Sequence, residues 1–162
     1  MAQSVHLFLK ANGKDIKGES TQVSMGRADS IECVAFNSGV TSAREAASNL
    51  ATGRRQHEPI IIRKRIDKAS PLLAKALCQN EAIEGVFKFF RPNPTGDGTT
   101  EQFFTVAFKG GRVVWQDVFL PDLMAPTAGS RQVSGAPYEE LGLKLAGVSW
   151  TYTNGGITWS GS

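Results

Sequence analysis

Apolar and polar residues alternate with a period of two along most of this chain, and that period places successive side chains on opposite faces of a β-strand. Val5, Leu7 and Leu9 alternate with His6, Phe8 and Lys10, so the spacing predicts a strand over Val5–Lys10. It ends at Asn12–Gly13, a pair that predicts a tight hairpin because both positions tolerate positive φ. Ile31–Ser38 carries Val34 and Phe36 on one face and Ile31, Cys33 and Ala35 on the other. Two partly apolar faces predict a wall between a core and a second covered surface, as in a sandwich or an assembled barrel. His57–Ile66 is a further strand. Glu84–Arg91, Glu101–Lys109 and Arg112–Phe119, separated by PNPTGDGTT and by Gly110–Gly111, predict an antiparallel meander. Tyr138–Thr153 switches its apolar face near Gly147, from Leu141, Leu143 and Leu145 to Val148, Trp150 and Tyr152, which predicts a bend or bulge. Asn154–Gly155–Gly156 then turns the chain toward Ile157–Trp159.

One stretch departs from that period. In IDKASPLLAKAL, Ile66–Leu77, Ser70 is placed as an N-cap and Pro71 at the first helical position. Leu72, Leu73, Ala76 and Leu77 recur on one helical face, and Asn80 supplies a left-handed stop. Cys78 lies near that face and is expected to be a small buried hydrophobe.

Three segments rich in Gly, Ser, Thr and Ala fit neither pattern: Gly18–Ser30, Val40–Gln56 and Pro121–Pro137. They are long for connections in a compact domain, so each calls for a functional explanation. Val40–Gln56 has enough Ala, Leu and Glu to order itself, with a helical turn expected from Ala43 to Leu50, but too few large apolar groups to anchor that turn. Either a neighbouring subunit supplies what is missing or the segment is a mobile surface loop.

At 162 residues the chain is expected to form a single domain, 1–162, large enough for its own core. Cys33 and Cys78 are too few for a disulfide framework and lack the paired spacing of a zinc site. The net charge of +3 is modest, and its densest parts, Arg54–Arg55 and Arg63–Lys64–Arg65, read as solvated faces and not as a nucleic-acid track. MAQSVHLFLK lacks the features of a conventional signal peptide, and no apolar run approaches the ~20 residues of a membrane helix, so folding in the cytoplasm without membrane insertion is expected. HEPII at His57 fails the zinc-peptidase pattern, since Ile61 stands where the second histidine is needed and Pro59 breaks the helix. No nucleophile elbow, phosphate loop, dinucleotide fingerprint or calcium loop is present. His6 reads as an exposed or half-buried strand residue, and neither it nor His57 has a triad context. No catalytic residue, metal or cofactor is therefore expected. Trp115, Trp150 and Trp159 are expected to be core or interface anchors.

In order and spacing, the DIKGES segment (Asp15–Ser20), the IDKASPLLAKAL helix entry and the closing YEELGLKLAGVSWTYTNGGITW resemble haemolysin co-regulated protein, the tube subunit of bacterial type VI secretion systems. In the last of these, Glu140, Leu143, Val148, Trp150 and Tyr152 fit the family's final strand pattern. The resemblance implies a mainly β fold, a β-barrel of two antiparallel sheets with one short helix alongside. It also implies homohexameric rings that stack into a hollow tube. Such a tube works with a contractile sheath and spike proteins, leaves the cell without a cleaved signal peptide, and carries small effector proteins in its lumen as carrier or chaperone.

Under that reading Val40–Gln56 reaches the neighbouring subunit or the next ring, with Arg44, Glu45, Leu50, Arg54 and Arg55 as its contributors. The alternative is a monomeric small β-barrel that binds a ligand or oligonucleotide through its loops and aromatic residues.

Overall fold

The computed structural model describes residues 3–120, 124 and 137–161. Eleven strands and one α-helix are present among them, in the order β1 (Ser4–Ala11), β2 (Lys14–Ile16), β3 (Ile31–Asn37), β4 (Val40–Arg44), β5 (Ala51–His57), β6 (Ile60–Arg65), α1 (Ser70–Cys78), β7 (Ile83–Pro92), β8 (Thr100–Phe119), β9 (Tyr138–Lys144), β10 (Gly147–Tyr152) and β11 (Ile157–Gly161). Asn12 and Gly13 both take positive φ, 49° and 78°, and close β1 onto β2 as their sequence predicts. The expected break near Gly147 separates β9 from β10. The Pro121–Pro137 segment lies almost wholly outside the described residues.

Nine strands share one antiparallel hydrogen-bonded system, and β4–β5 form a separate two-stranded hairpin. Closure depends on β8. One edge of β8 pairs with β7, while the other pairs with β10 along Phe104–Lys109 and with β9 along Arg112–Phe119. The pairings β8–β7–β1–β3–β6–β9–β8 therefore run in a ring, and β10–β11 extend from it as a flap. Gly110–Gly111 do not end a strand, as the meander reading expects; they are the bend inside one strand of 20 residues. Gly110, at φ 67°, accommodates the change of direction.

Inside the ring lie Leu7, Ile31, Ile62, Ile83, Phe87, Leu141 and Leu143, each at most 1% exposed. Helix α1 adds Leu73 and Ala76 to this core, whereas Leu72 is 41% exposed. The apolar face of the helix is thus narrower than its spacing suggests, and Cys78, expected inside, is exposed because it ends the helix on the outer side. Cys33 is the buried thiol, and desolvation pushes it up to about 12. Asn80 takes φ 50° and stops the helix as predicted.

The start of α1 differs from expectation. Ser70 is its first residue and not its cap; the Ser70 hydroxyl accepts the Asp67 N–H at 3.1 Å, and Asp67 Oδ1 accepts the Ala69 N–H at 2.9 Å. Both belong to a buried polar cluster around Lys64. Lys64 Nζ, fully buried, shares its three hydrogens among four acceptors, Asp67 Oδ1 at 2.9 Å, the Arg65 carbonyl at 2.9 Å, Ser70 Oγ at 3.2 Å and the Glu139 carboxylate. Gln116 Nε2 joins Glu139 Oε2 at 3.0 Å. The Arg63–Lys64–Arg65 triplet is therefore not a solvated face throughout: strand alternation turns Lys64 inward, where it ties β6, β9, β8 and the helix entry together.

Removing one member of a buried ion pair strands the other, at a typical cost of 3–5 kcal/mol, while replacing both with apolar groups is often neutral. Lys64→Met should accordingly lose about 3–5 kcal/mol of unfolding free energy in urea titrations at pH 7. Lys64→Met combined with Glu139→Leu should recover most of that loss.

Candidate functional site

The six strands β2, β1, β7, β8, β10 and β11 lie side by side in that order. Their inward residues, including Leu7, Leu9, Phe87, Val106, Phe108 and Val148, belong to the core. Alternation turns the intervening residues to the opposite face, and the register aligns these across the strands. One row runs Phe8, Val86, Ala107, Ser149, Ser160, each directly opposite the next. A second runs His6, Lys88, Thr105, Thr151, Thr158, with the Thr158 hydroxyl 3.3 Å from that of Thr151. Toward β11 both rows hold only small or hydroxyl side chains.

This face is hollow. It encloses an open cavity of about 720 Å³, lined from Asp15 on β2 to Ser160 and Gly161 on β11, with Lys10, Glu84 and Lys109 among its walls. Lys10 pairs in register with both Asp15 and Glu84. Lys88 holds its Nζ 4.6 Å from the centre of the Phe8 ring. The charged residues of its walls are balanced in sign, and Phe8, Val86, Ala107 and Phe108 give the rest of the lining an apolar character.

Both ends of the six-stranded run are open. Among the described residues β11 pairs only with β10 and β2 only with β1. Ile157 and Trp159 on β11 are 68% and 52% exposed. An unpaired edge flanked by exposed large apolar groups is a template for another strand, and soluble proteins ordinarily cover it or blunt it with charge. Among the described residues β11, whose sequence is ITWSG, carries no charge of its own and pairs with no strand on its outer edge, and the Arg55 guanidinium rests on its Trp159.

Val40–Gln56 forms the hairpin β4–β5, and of the helical turn expected over Ala43–Leu50 only the reversal Glu45–Asn49 is present, where the Asn49 N–H donates to the Glu45 carbonyl at 2.8 Å. Thr41 pairs with Gln56 and Ser42 with Arg55, and Asn49, at φ 57°, lets the chain reverse between Glu45 and Leu50. The five residues singled out from sequence are spread along it. Arg44 Nη1 donates to the Asn49 carbonyl at 3.1 Å, and the Glu45 carboxylate accepts the Ser48 hydroxyl, so both fasten the turn itself. Leu50 is 65% exposed at the tip, and Arg54 is exposed on β5. Arg55 stacks its guanidinium 4.9 Å over Trp159. Together with the His57–Trp150 stack at 5.8 Å and the Trp150–Trp159 contact at 5.6 Å, it lays the hairpin against the flap.

Residues 8–152 match the family described as "Type VI secretion system effector, Hcp". The chain belongs to the Hcp family. It is 28% identical over 139 residues to the "Major exported protein" of Pseudomonas aeruginosa PAO1, covering 83% of this chain and 76% of that one. Its fold is similar to that of a double mutant of Hcp1 from the E. coli EAEC 042 pathovar, with a TM-score of 0.81 at 26% identity over 98% of this chain and 97% of that one. Hcp3 from Pseudomonas aeruginosa has the same fold, with a TM-score of 0.74 at 19% identity over 99% and 98% of the two chains. The β fold with a single helix that the resemblance implies is thus the fold observed, and this is a type VI secretion system Hcp protein.

Trp159 on β11 apart, the hydroxyl rows and the residues of the two open edges were not among those singled out from sequence. Their only trace there is the alternation of Ser149 and Thr151 with Val148 and Trp150.

A cation stacked over an exposed aromatic ring contributes about 0.5–1 kcal/mol. Arg55→Ala should therefore speed amide exchange in Ala51–His57 by about two- to fivefold, with little change at β7 or β8. Hydrogen exchange read by mass spectrometry measures both.

Proposed function

We propose that the protein is the tube-forming subunit of a type VI secretion system. Six copies, the number the family resemblance implies, close head to tail into a ring, and rings stack into a hollow tube. The observation that carries this reading is the hollow sheet face, bounded at each end by an edge that is unpaired among the described residues. A head-to-tail ring needs two different complementary surfaces on each copy, and β11 and β2 are such a pair. Joining them continues the sheet from one copy to the next, satisfies both edges and turns the Ser and Thr rows toward a common bore. A stable contact of this kind buries on the order of 800 Å² per partner, so Trp159, Ile157 and the β4–β5 hairpin take part as well as the strand edges.

In this reading the hairpin residues Arg44, Glu45, Leu50, Arg54 and Arg55 serve assembly. The stack of Arg55 on Trp159 aims the hairpin, and Leu50 at the tip meets the adjacent copy or the next ring. The sheath and spike proteins act on the outside and the end of the tube, and small effector proteins occupy the bore. The name of the Pseudomonas relative supports export for this chain too. The work is mechanical: no side chain in this reading forms or breaks a covalent bond.

Light scattering of the purified protein should give a particle about six times the 17.4 kDa protomer. Ile157→Lys, a charge placed on an open edge at an exposed position, should leave the protomer folded and reduce the particle to single subunits. Deleting Ala43–Gly53 should weaken rings or their stacking. Ring populations unchanged by both alterations would refute the assignment of these surfaces.

A further inference from the structure

The connection between β2 and β3, residues 17–30, folds back over one end of the hollow face and buries a histidine beneath it. Its neck is closed by the Gly18 N–H, which donates to the Asp29 carbonyl at 3.0 Å, and its middle is a 3₁₀ turn, Ser24–Gly26. Under it His6 is fully buried, contrary to the exposed or half-buried position that alternation alone suggests. Both ring nitrogens are engaged. Nδ1 lies 2.9 Å from Ser30 Oγ and Nε2 lies 3.0 Å from Ser4 Oγ. Ser30 spends its own hydrogen on the Arg27 carbonyl at 2.7 Å, so it accepts from His6, and Nδ1 carries the proton of a neutral imidazole.

Arg27 is the second buried member, 6% exposed. Its guanidinium sits 4.8 Å over the Phe90 ring, whose other contact is the edge of His6 at 5.5 Å. Its donors go to neutral acceptors: the Ser24 carbonyl at 2.9 Å, Ser24 Oγ at 2.5 Å and Gln22 Oε1. The charged groups facing His6 are Arg27 above it, Glu32 opposite on β3 and Lys88 opposite on β7. Glu32 is held by the Thr21 N–H at 3.2 Å and its hydroxyl at 2.9 Å, and Lys88 rests on Phe8. Desolvation is the largest influence on His6 and holds it below 6.5; Glu32 pulls it up and Arg27 pulls it down.

We propose that His6 is a proton-operated latch: below neutral pH an imidazolium forms beside Arg27, and residues 17–30 release from β1 and β7. Ser4 can turn its hydroxyl from Nε2 to Gln22 Oε1, 3.3 Å away, so the charged ring need not lose a hydrogen bond. The cost is electrostatic, a second cation in a closed site whose contacts with the first are all neutral. Release hydrates both cations and uncovers Phe90 at the edge of the hollow face. It also loosens the chain directly after β2, one of the two open edges. The latch is a property of the protomer and does not depend on ring formation.

The sign follows from linkage. The opened segment binds the proton with the ordinary histidine affinity and the closed one binds it more weakly. The latch is therefore fully closed above about pH 6.5, and its opening constant rises about tenfold per pH unit below that, down to the closed-state pKa. Hydrogen exchange at pH 7.5 and 5.0, corrected for the intrinsic exchange rate, should show a loss of protection in residues 18–30 of up to about tenfold per pH unit below 6.5, with β7 and β8 unchanged. His6→Gln, which keeps polar contacts but cannot take the charge, should abolish that loss, and His57→Gln should retain it. Arg27→Gln, which removes the first cation, should shrink that loss and raise the midpoint at which His6 titrates. Equal protection at the two pH values would overturn the proposal, as would the same pH dependence in His6→Gln. If that variant does not fold, the NMR titration of His6 in the native protein decides, and a midpoint at or above 6.5 would overturn it.

Discussion

Strand β8 pairs along one edge with β7 and divides its other edge between β10 and β9, and the architecture follows from that division. Its later half pairs with β9 and closes the ring of strands around the core. Its earlier half pairs with β10 and carries a flap that the ring does not need. Because alternation holds through Thr105–Phe108, the same backbone that presents Val106 and Phe108 to the core must present Thr105 and Ala107 to the other side. The closed core and the hollow outer face are two consequences of one register.

That register also explains why the protein is stable as a fold and incomplete as a surface. The core is filled, and its one buried lysine is matched by Glu139, Asp67 and Ser70. The flap has no such closure. It is steadied from within by stacked rings and by Arg55, and it ends on a neutral edge strand with an exposed tryptophan. A protein that works as a monomer has reason to blunt that edge; a subunit that continues its sheet into a neighbour has reason to keep it bare.

Much of the fold was legible in the sequence because its signals are local. Period-two alternation marks most strands, Asn12–Gly13 and Asn80 mark positions of positive φ, and the face switch near Gly147 marks the change from β9 to β10. What local pattern does not carry is pairing. Gly110–Gly111 look the same whether they end a strand or bend one, and only the partners on either side decide. The β4–β5 hairpin was hidden by the helix-forming composition of Ala43–Leu50, although Thr41, Ser42 and Thr52 favour a strand and Asn49 a reversal. The site was harder still: its two rows join residues from up to five strands, so each row exists only once the register is known. His6 was misjudged for a related reason, since a distant segment covers a face that alternation assigns to solvent.

The central claim is that this protein acts by enclosing a bore with the β1–β7–β8–β10 face of each copy. Cryo-electron microscopy of the purified protein tests it most directly. The account predicts six-fold annuli with an open centre in which Ala107, Ser149 and Thr151 face the channel. Compact particles without a channel at every concentration, or annuli that turn those residues outward, would contradict it.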